Sequence, residues 1–365
     1  MRRFLRLVHL WVGLVAGLVI VALGLSGSAL VFRAELERFA ARDWLHPAPQ
    51  GGALTLDELV AAARAIDPAR AVARLHWPAG PGGTLEVVTQ VAGARNLVEA
   101  RLASVYVDPA SAEVLGVRDR AEGIIWWTQE LHYSLFGGER GLFVNGSFAV
   151  ALLLLAVSGP ILWWPGWKRR RDALRIRRRP TAAFWRDMHA VGGAAACLAL
   201  ALLAVTAMYY TYRSTATGLV IAAAGDEPLR PPVPAAADGD PASLAALLSA
   251  ARTALPEARI DEFRPPRSAS SPASVTFRLA DDAVPGRHRL YLHPLTAEVL
   301  RMDLHHELPR SSRWMGNIGP LHFGTFAGRS SQWAWFVAGL VPAFLFASGG
   351  WLWWRNRRLR ARATT

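Results

Sequence analysis

Four histidines stand at the ends of long apolar runs, where ionisable side chains are uncommon. His132 lies in the stretch "ELHYSLFGG", and His322 lies in the similar stretch "PLHFGTFAG". His9 and His189 each follow basic residues and open another apolar run. Ionisable residues in or beside membrane spans usually face the interior of a helix bundle, and neutral imidazole is a common metal ligand. These four side chains are therefore the first candidates for chemistry.

The spacing of these histidines indicates an internal repeat. The interval from His132 to His322 is also the interval from Ser158-Gly159 to Ser348-Gly349 and from Trp163-Trp164 to Trp353-Trp354. The interval from His9 to His189 is likewise that from Arg6 to Arg186 and from Gly13 to Gly193. The chain therefore reads as two copies of one pattern, which is helix, polar segment, helix.

The composition predicts a membrane protein, because 52% of the 365 residues are hydrophobic. A helix needs roughly 18 to 20 apolar residues to cross about 30 Å of hydrocarbon. Four runs approach or exceed this length: Leu7–Phe32, Leu142–Trp164, Met188–Tyr210 and Trp333–Trp354. The first run is longer than the apolar part of a typical signal peptide and lacks an A-x-A cleavage site, which favours a retained helix.

Basic residues indicate which side of the membrane each helix end faces. The N-terminus, the stretch "KRRRDALRIRRR" and the C-terminal tail are all rich in arginine. They fall on one side of a four-span protein, and short loops rich in Lys and Arg stay in the cytoplasm. The net charge of +13 lies mainly beside the helix ends, which favours anionic lipid headgroups of the bilayer over nucleic acid as the partner.

These features predict eight consecutive parts of the chain. They are transmembrane helix 1 (1–33), a first periplasmic domain (34–125), an interfacial segment with transmembrane helix 2 (126–167), a basic cytoplasmic loop (168–183), transmembrane helix 3 (184–213), a second periplasmic domain (214–315), an interfacial segment with transmembrane helix 4 (316–355), and a basic cytoplasmic tail (356–365).

Each periplasmic domain is predicted to have an α+β fold. A helix follows Thr55 in the first domain and Asp240 in the second, and strand-like stretches come after each helix. Both domains end in a similar hairpin, "VYVDPASAEVL" in the first and "LYLHPLTAEVL" in the second. The similar endings extend the repeat into the polar segments.

The two copies are expected to lie parallel, because each contains an even number of spans. A pseudo-twofold axis along the membrane normal would then relate them, so that equivalent residues face each other at equal depth. His9 and His189 would pair near the cytoplasmic face, and His132 and His322 near the periplasmic face. A single histidine at a helix end is usually an interfacial residue with one hydrogen bond, but two related pairs favour shared ligands.

Haem is the ligand that two opposed imidazoles favour. A zinc site would normally add Cys or carboxylate ligands, whereas haem iron accepts one axial ligand on each face. Cys197 is the only cysteine, which excludes covalent attachment through C-x-x-C-H. The sequence therefore predicts two b-type haems. Gly13, Gly17, Gly192 and Gly193 would give a flat porphyrin room, although ordinary helix packing explains such small residues equally well.

An unbroken helix from His132 to Trp164 would span about 48 Å, which exceeds the hydrocarbon core. The sequence predicts that Gly137-Gly138, and Ala327-Gly328 in the second copy, break the two helices, with a straight projecting helix as the alternative. Arg140 and Arg329 are candidates for the haem propionates, or else interfacial residues. His305 and His306 have no counterpart in the first copy, which favours a solvated loop over a ligand role.

The paired motifs carry a family resemblance. "LHYSLFGG" and "LHFGTFAG", followed by helices that end in "SGPILWWP" and "SGGWLWWR", resemble the PepSY-associated transmembrane family, which includes dihaem ferric-siderophore reductases. The resemblance covers nearly the whole chain. It implies a four-span helical protein of the bacterial inner membrane with two haem b groups and two periplasmic PepSY-like domains. It also implies an oxidoreductase that reduces ferric siderophore and serves iron uptake.

The sequence leaves two other functions open. The PepSY-like domains would suit a binding or sensing module that the helices anchor, and paired histidines would suit a transporter of haem or a metal complex. No nucleotide- or flavin-binding motif is present, so an electron donor would be a separate cytoplasmic molecule or a membrane quinol.

Overall fold

The computed structural model describes residues 1–48, 54–78, 80–93, 101–164, 176–177, 182–236, 239–282 and 288–363. The chain divides into two compact units. The helical unit comprises Met1–Arg33, Trp127–Val220 and Asn317–Thr365, and the sheet unit comprises Ala34–Trp126 and Ile221–Gly316. Most of the predicted basic loop 168–183 lies outside the described residues.

The described α-helices are α1 (Arg2–Val31), α2 (Arg33–Ala40), α3 (Leu56–Ile66), α4 (Gly123–Ser134), α5 (Gly138–Trp163), α6 (Ala182–Thr211), α7 (Arg213–Ala224), α8 (Leu244–Ala254), α9 (Arg310–Phe323) and α10 (Gly328–Ala363). Four of them, α1, α5, α6 and α10, are long and apolar enough to cross a membrane. They cover the four predicted spans, except for the last residue of the first two, Phe32 and Trp164. The predicted tail continues α10 as helix to Ala363.

Close helix crossings hold the helical unit together. Helix α1 lies against α10, and α5 lies against α6. A Cβ atom added at Gly24 would overlap the Gly339 carbonyl oxygen, and one added at Gly339 would overlap the Ser28 hydroxyl. These backbones therefore approach more closely than larger side chains would allow, as is common between membrane helices.

Both predicted helix breaks are present. Helix α4 ends at Ser134 and α5 begins at Gly138, while α9 ends at Phe323 and α10 begins at Gly328. In the first break Leu135, Phe136 and Gly138 have φ of 50°, 60° and 56°. Positive φ ends helical hydrogen bonding and redirects the chain. The segments that carry His132 and His322 are therefore separate helices, α4 and α9.

Side chains of α5 and α10 hold the two breaks closed. The Asn145 amide donates to the carbonyl oxygens of His132 and Tyr133, at 2.7 and 3.0 Å. Trp335 occupies the position equivalent to Asn145 in the second copy, and its indole nitrogen donates to the Leu321 carbonyl oxygen at 2.7 Å. These bonds satisfy carbonyl groups at the ends of α4 and α9 that have no partner within their own helix.

The sheet unit contains one antiparallel sheet made from both polar segments. Its strands are β1 (Arg70–His76), β2 (Leu85–Val91), β3 (Ala103–Val107), β4 (Val114–Asp119), β5 (Arg259–Arg264), β6 (Ala273–Arg278), β7 (His288–Leu292) and β8 (Val299–Asp303). Their order is β4-β3-β2-β1-β5-β6-β7-β8. The pairing of Leu75 in β1 with Phe263 in β5 joins the two halves.

The two periplasmic domains of the sequence prediction thus share one sheet and one core. Helices α3 and α8 contribute Leu59 and Leu247 to the same buried cluster as Phe263. The Asp57 carboxylate accepts the backbone N–H groups of Leu244 and Ala245, at 2.8 and 2.9 Å. One half therefore caps a helix of the other, which stabilises that helix terminus.

The predicted helices and hairpins of the sheet unit are present. Thr55 and Glu58 form a capping box at the start of α3, and the Ser243 side chain caps α8. The hairpins form β3–β4 and β7–β8. Strands β1 and β5, which join the halves, have no counterpart in the prediction.

A buried ionic cluster lies on β1, β2 and the residues after β4. The Glu86 carboxylate accepts from Arg120 at 2.6 Å and lies 2.8 Å from His76 Nε2. Burial opposes ionisation of Glu86, but the hydrogen bond and charge of His76 and the charge of Arg120 outweigh it and hold the pKa of this carboxyl below its usual range. The buried charge is therefore compensated by its neighbours.

Replacing Gly141 with alanine tests the packing at the first break. A Cβ atom there would overlap the Ser134 carbonyl oxygen, so the turn between α4 and α5 must open, at a cost of about 1–3 kcal/mol or more. We expect Gly141→Ala to lower the melting temperature of the detergent-solubilised protein. Gly218→Ala is the matched control, because a Cβ atom at Gly218 meets no atom within 4 Å. Equal melting temperatures for the two variants would contradict this packing.

Candidate functional site

His9 and His189 line the same cavity in the helical unit. This inner cavity has a volume of about 1550 Å³. Its apolar wall comes from all four long helices and includes Leu14, Leu155 and Phe346. Since ligand pockets commonly measure about 300–1,000 Å³, the inner cavity is large enough for a sizeable organic molecule.

His132 and His322 face each other across a second, smaller cavity. Their ring centroids lie 6.2 Å apart, with 46° between the ring planes. Both histidines line this outer cavity, whose volume is about 160 Å³, together with Gly27 and Asn145. The rings of the outer pair thus lie close together, and the two histidines of the inner pair share one cavity.

Each of the four histidines contacts a hydroxyl group through Nδ1. The distances are 2.7 Å from His9 to Ser158 Oγ, 2.9 Å from His189 to Ser348 Oγ, 3.2 Å from His132 to Ser26 Oγ and 2.9 Å from His322 to Thr206 Oγ1.

Backbone carbonyl groups adjoin two of these rings. His132 Nδ1 lies 2.9 Å from the Leu23 carbonyl oxygen, and the His189 imidazole has a backbone hydrogen bond at Leu345. Leu23 precedes Ser26 by the same interval as Leu345 precedes Ser348, so these two carbonyls occupy equivalent places. Within the described part of the chain, every hydrogen bond of these four rings that is assigned to a particular ring nitrogen involves Nδ1. Nε2 is therefore the nitrogen available to a ligand.

The hydroxyl partners were only partly visible in the sequence. Ser158 and Ser348 belong to the repeated Ser-Gly motif, but that motif gave no reason to pair them with histidine. Ser26 and Thr206 are separated by the same interval as His9 and His189. A search for polar residues within the apolar runs at this interval would have found them.

Several glycines lie at the inner cavity. Gly13, Gly17 and Gly193 line it, as the sequence predicts for residues that give a ligand room. Gly192 is not among the described lining residues, and a Cβ atom there would contact Phe344 at 3.5 Å. A Cβ atom at Gly349 would lie 3.1 Å from His189 Cε1, so this glycine sets the position of the ring.

Arginines line one end of the inner cavity. They are Arg3, Arg6, Arg177, Arg186, Arg357 and Arg360. The Arg177 guanidinium is paired with the Asp187 carboxylate, at 2.6 Å. Arg140 and Arg329, the propionate candidates of the sequence, are not among the described residues that line either cavity. The inner cavity therefore combines an apolar body with a cationic end.

An aromatic group adjoins the outer pair. The Tyr210 ring lies edge-on to the His322 ring, with 5.4 Å between centroids, and stacks with Phe323 at 6.0 Å. No pattern in the sequence distinguishes Tyr210 from the other aromatic residues at the end of α6. The Tyr210 ring restricts the movement of the His322 ring on one side.

His305 and His306 lie in the sheet unit, in a short 3-10 helix at His305–Glu307. The His305 backbone N–H donates to His288 Nδ1 at 3.0 Å. The His306 side chain is 67% exposed and lies 3.6 Å from Glu307. Among the described residues, no group of three or more His, Cys, Asp or Glu side chains is arranged to hold a metal ion.

Comparison with known proteins identifies the family. A search of curated proteins finds no match. The family model described as "PepSY-associated TM region" matches residues 6–356, which include most or all of each long helix, both histidine pairs and the eight-stranded sheet. The chain therefore belongs to the family of the PepSY-associated TM region.

Proposed function

We propose that this protein is a dihaem b oxidoreductase of the bacterial inner membrane, which passes electrons across the membrane to reduce ferric siderophore in the periplasm. The observation that carries the proposal is the placement of two histidine pairs, each at one cavity. Haem, when bound, supplies a one-electron couple whose potential depends on its axial ligands and surroundings. The residues of the chain would bind it, orient it and exclude water.

The inner cavity fits haem in volume and in chemistry. Haem is an apolar macrocycle with two carboxylate groups, and the cavity has an apolar wall and a cationic end. His9 and His189 would supply the axial nitrogens. The cavity arginines, with Arg3 and Arg6 among them, would pair with the propionates of this inner haem, because guanidinium binds carboxylate in a bidentate manner.

The outer pair fits haem through the spacing of its rings. Two imidazoles that would hold one metal ion, each through a bond of about 2 Å, need to lie close to each other. The observed centroid separation of His132 and His322 is 6.2 Å. The enclosed volume of about 160 Å³ is much smaller than that of the inner cavity, so the proposal for the outer haem depends on ligand spacing rather than on volume.

Matched contacts support two parallel copies about an axis along the membrane normal. The His9–Ser158 bond of the first copy and the His189–Ser348 bond of the second join residues at equivalent positions of the repeat. Their lengths are similar, at 2.7 and 2.9 Å. Parallel copies would place one haem near each face of the membrane, with the basic termini in the cytoplasm and the polar segments in the periplasm.

Ferric siderophore is proposed as the acceptor because the family resemblance includes reductases of that class. The ferric ion would take up one electron and become ferrous, which hard oxygen ligands hold less tightly. Iron would then leave the siderophore. The electron donor would be a quinol or a reduced cytoplasmic molecule. Two competing functions remain, a membrane-anchored sensing module and a transporter of haem or a metal complex. Each predicts a different outcome in the experiments on haem content and iron reduction.

The histidine pairs can be tested separately. We expect His9→Ala and His189→Ala each to remove one haem and leave the other, and His132→Ala and His322→Ala to remove the second. Haem content per chain is measured after extraction, with the absorption spectrum as a second readout. His306→Ala is the matched control, because this side chain is exposed and lies in the sheet unit. Two haems per chain in all four variants would contradict the pairing, and a protein without haem would favour the sensing module.

Electron transfer to iron is tested with the reduced protein. Chemically reduced protein, mixed without oxygen with ferric siderophore and a ferrous chelator, should show reoxidation of the haem bands and formation of chelated Fe(II) together. The His322→Ala variant should lose most of this reaction, because the outer site would lack a ligand. Reduced bands that persist with every siderophore type would remove the substrate assignment. Uptake of haem by proteoliposomes without any redox change would favour the transporter.

The orientation of the chain is tested with reporters. A reporter placed after Thr365 or within Lys168–Arg179 should be active in the cytoplasm, and one inserted at Gly80 or Gly239 should be active in the periplasm. The reason is the position of the basic segments. Any reporter in the opposite compartment would break the parallel arrangement and, with it, the placement of one haem at each face.

A further inference from the structure

We infer that four hydroxyl groups, those of Ser26, Ser158, Thr206 and Ser348, hold the four histidines in a single tautomer, with the proton on Nδ1 and the lone pair on Nε2. The inference is geometric and concerns the chain itself. Its consequence for redox potential rests on the proposed function. The four hydroxyls would thus be positioning residues, which act through the histidines.

Each of the four hydroxyl groups bonds to the backbone of its own helix. A hydroxyl group has one proton to donate, and Thr206 donates it to the carbonyl oxygens of Leu202 and Leu203, at 2.8 and 3.0 Å. Ser348 does the same with Phe344 and Leu345, at 2.8 and 3.2 Å. Such bonds to the preceding turn are usual for Ser and Thr inside helices.

The other two hydroxyls follow the same pattern. Ser26 donates to the carbonyl oxygens of Ala22 and Leu23, at 2.8 and 3.1 Å, and Ser158 to that of Leu155 at 3.4 Å. The shorter backbone bonds of Ser26, Thr206 and Ser348 are 2.8 Å, which directs these three hydroxyl protons to their own helices. The Leu155 bond of Ser158 is longer than its 2.7 Å contact with His9 Nδ1, and Ser158 is assigned the same direction because it is the repeat counterpart of Ser348. A hydroxyl whose proton serves the backbone can take part in a second hydrogen bond only as an acceptor.

The direction of these hydroxyl bonds determines where the imidazole proton lies. A hydroxyl that accepts needs a donor, so Nδ1 of each histidine must carry the proton. In neutral imidazole the other nitrogen then has a free lone pair. All four Nε2 atoms are therefore ready to act as ligands without the loss of a proton.

The four histidines differ in the number of hydrogen-bond acceptors near Nδ1. His132 Nδ1 has a second acceptor, the Leu23 carbonyl oxygen at 2.9 Å, which is closer than the Ser26 hydroxyl at 3.2 Å. His189 has a backbone acceptor at Leu345 in the equivalent place. Removal of the Ser26 or Ser348 hydroxyl leaves these carbonyls in position. Ser26 and Ser348 are thus expected to matter less than the other two hydroxyls.

His9 and His322 depend on their hydroxyls more strongly. Among the hydrogen bonds of the described residues, His9 Nδ1 bonds to Ser158 Oγ and His322 Nδ1 bonds to Thr206 Oγ1, and neither ring has a backbone carbonyl as a further partner. One of these rings belongs to the inner pair and the other to the outer pair. Each cavity therefore has one histidine whose tautomer is held by a hydroxyl alone.

A strong acceptor at Nδ1 also changes the ligand. It raises the basicity of the ring, and removal of such a partner commonly weakens metal binding about 10- to 100-fold. A less basic imidazole favours the ferrous state, so the midpoint potential should rise when the hydroxyl is lost. The hydroxyls would therefore set both the retention and the potential of each haem.

The tautomer is measured on haem-free, full-length protein labelled with ¹⁵N-histidine, at a pH where imidazole is neutral. Nitrogen NMR separates the protonated and unprotonated ring nitrogens, and each signal is assigned by its loss in the corresponding His→Ala variant. We expect all four rings to carry the proton on Nδ1. In Ser158→Ala and Thr206→Val, the one ring that loses its acceptor should change toward a mixture of tautomers. A proton on Nε2 of any of the four rings in the unaltered protein would overturn the inference.

The same variants are then loaded with haem. Ser158→Ala and Thr206→Val should each weaken one haem site about 10- to 100-fold and raise its midpoint potential, whereas Ser26→Ala and Ser348→Ala should have smaller effects. Ser158→Thr and Thr206→Ser, which keep the hydroxyl, should restore both values. Ser147→Ala is the control, since Ser147 lies in the same helix as Ser158 and bonds to the Phe143 carbonyl oxygen at 3.5 Å.

The outcomes separate this inference from the proposed function. A protein that binds no haem would refute the proposed function, while the nitrogen spectrum would still decide the tautomers. Unchanged potentials and unchanged haem retention in Ser158→Ala and Thr206→Val would overturn the positioning role, even if the protein reduces iron.

Discussion

The helical unit depends on one constraint, which is that polar atoms surrounded by hydrocarbon must find partners within the protein. Four imidazoles and four hydroxyls lie within or next to the apolar helices, and each satisfies the other. Because the hydroxyl proton already serves the helix backbone, the imidazole proton is fixed as well. A requirement of stability thus also leaves four Nε2 lone pairs available.

The same constraint explains how His132 and His322 reach their positions. A straight helix would carry each of them beyond the hydrocarbon, so the chain turns back between α4 and α5 and between α9 and α10. Each turn exposes carbonyl groups, which Asn145 and Trp335 then satisfy. The two turns use different side chains for the same purpose. The turns also differ at a pair of equivalent positions. The first turn has Gly141, whereas the second has Ser331, whose hydroxyl bonds to the Gly324 carbonyl oxygen.

Much of this structure could be predicted from the sequence, because its strongest signals are local or periodic. Apolar length predicts the four long helices, and the excessive length of an unbroken helix, together with the small-residue pairs, predicts the two breaks. The repeated intervals predicted which histidines would lie together. The single sheet could not be predicted in this way, because Leu75 and Phe263 pair although they lie in different polar segments, and neither strand has a distinctive pattern. The cavity arginines were missed for a related reason, since charge at helix ends indicates orientation and says nothing about which residues share a cavity.

The central claim is that each histidine pair holds one haem through two axial nitrogens. The most direct measurement is electron paramagnetic resonance of the purified, oxidised protein, combined with the haem content per chain. The account predicts two b-type haems per chain, both low-spin, with the signals of bis-histidine ligation. A protein without haem, or one whose haem is high-spin with a single axial ligand, would contradict it.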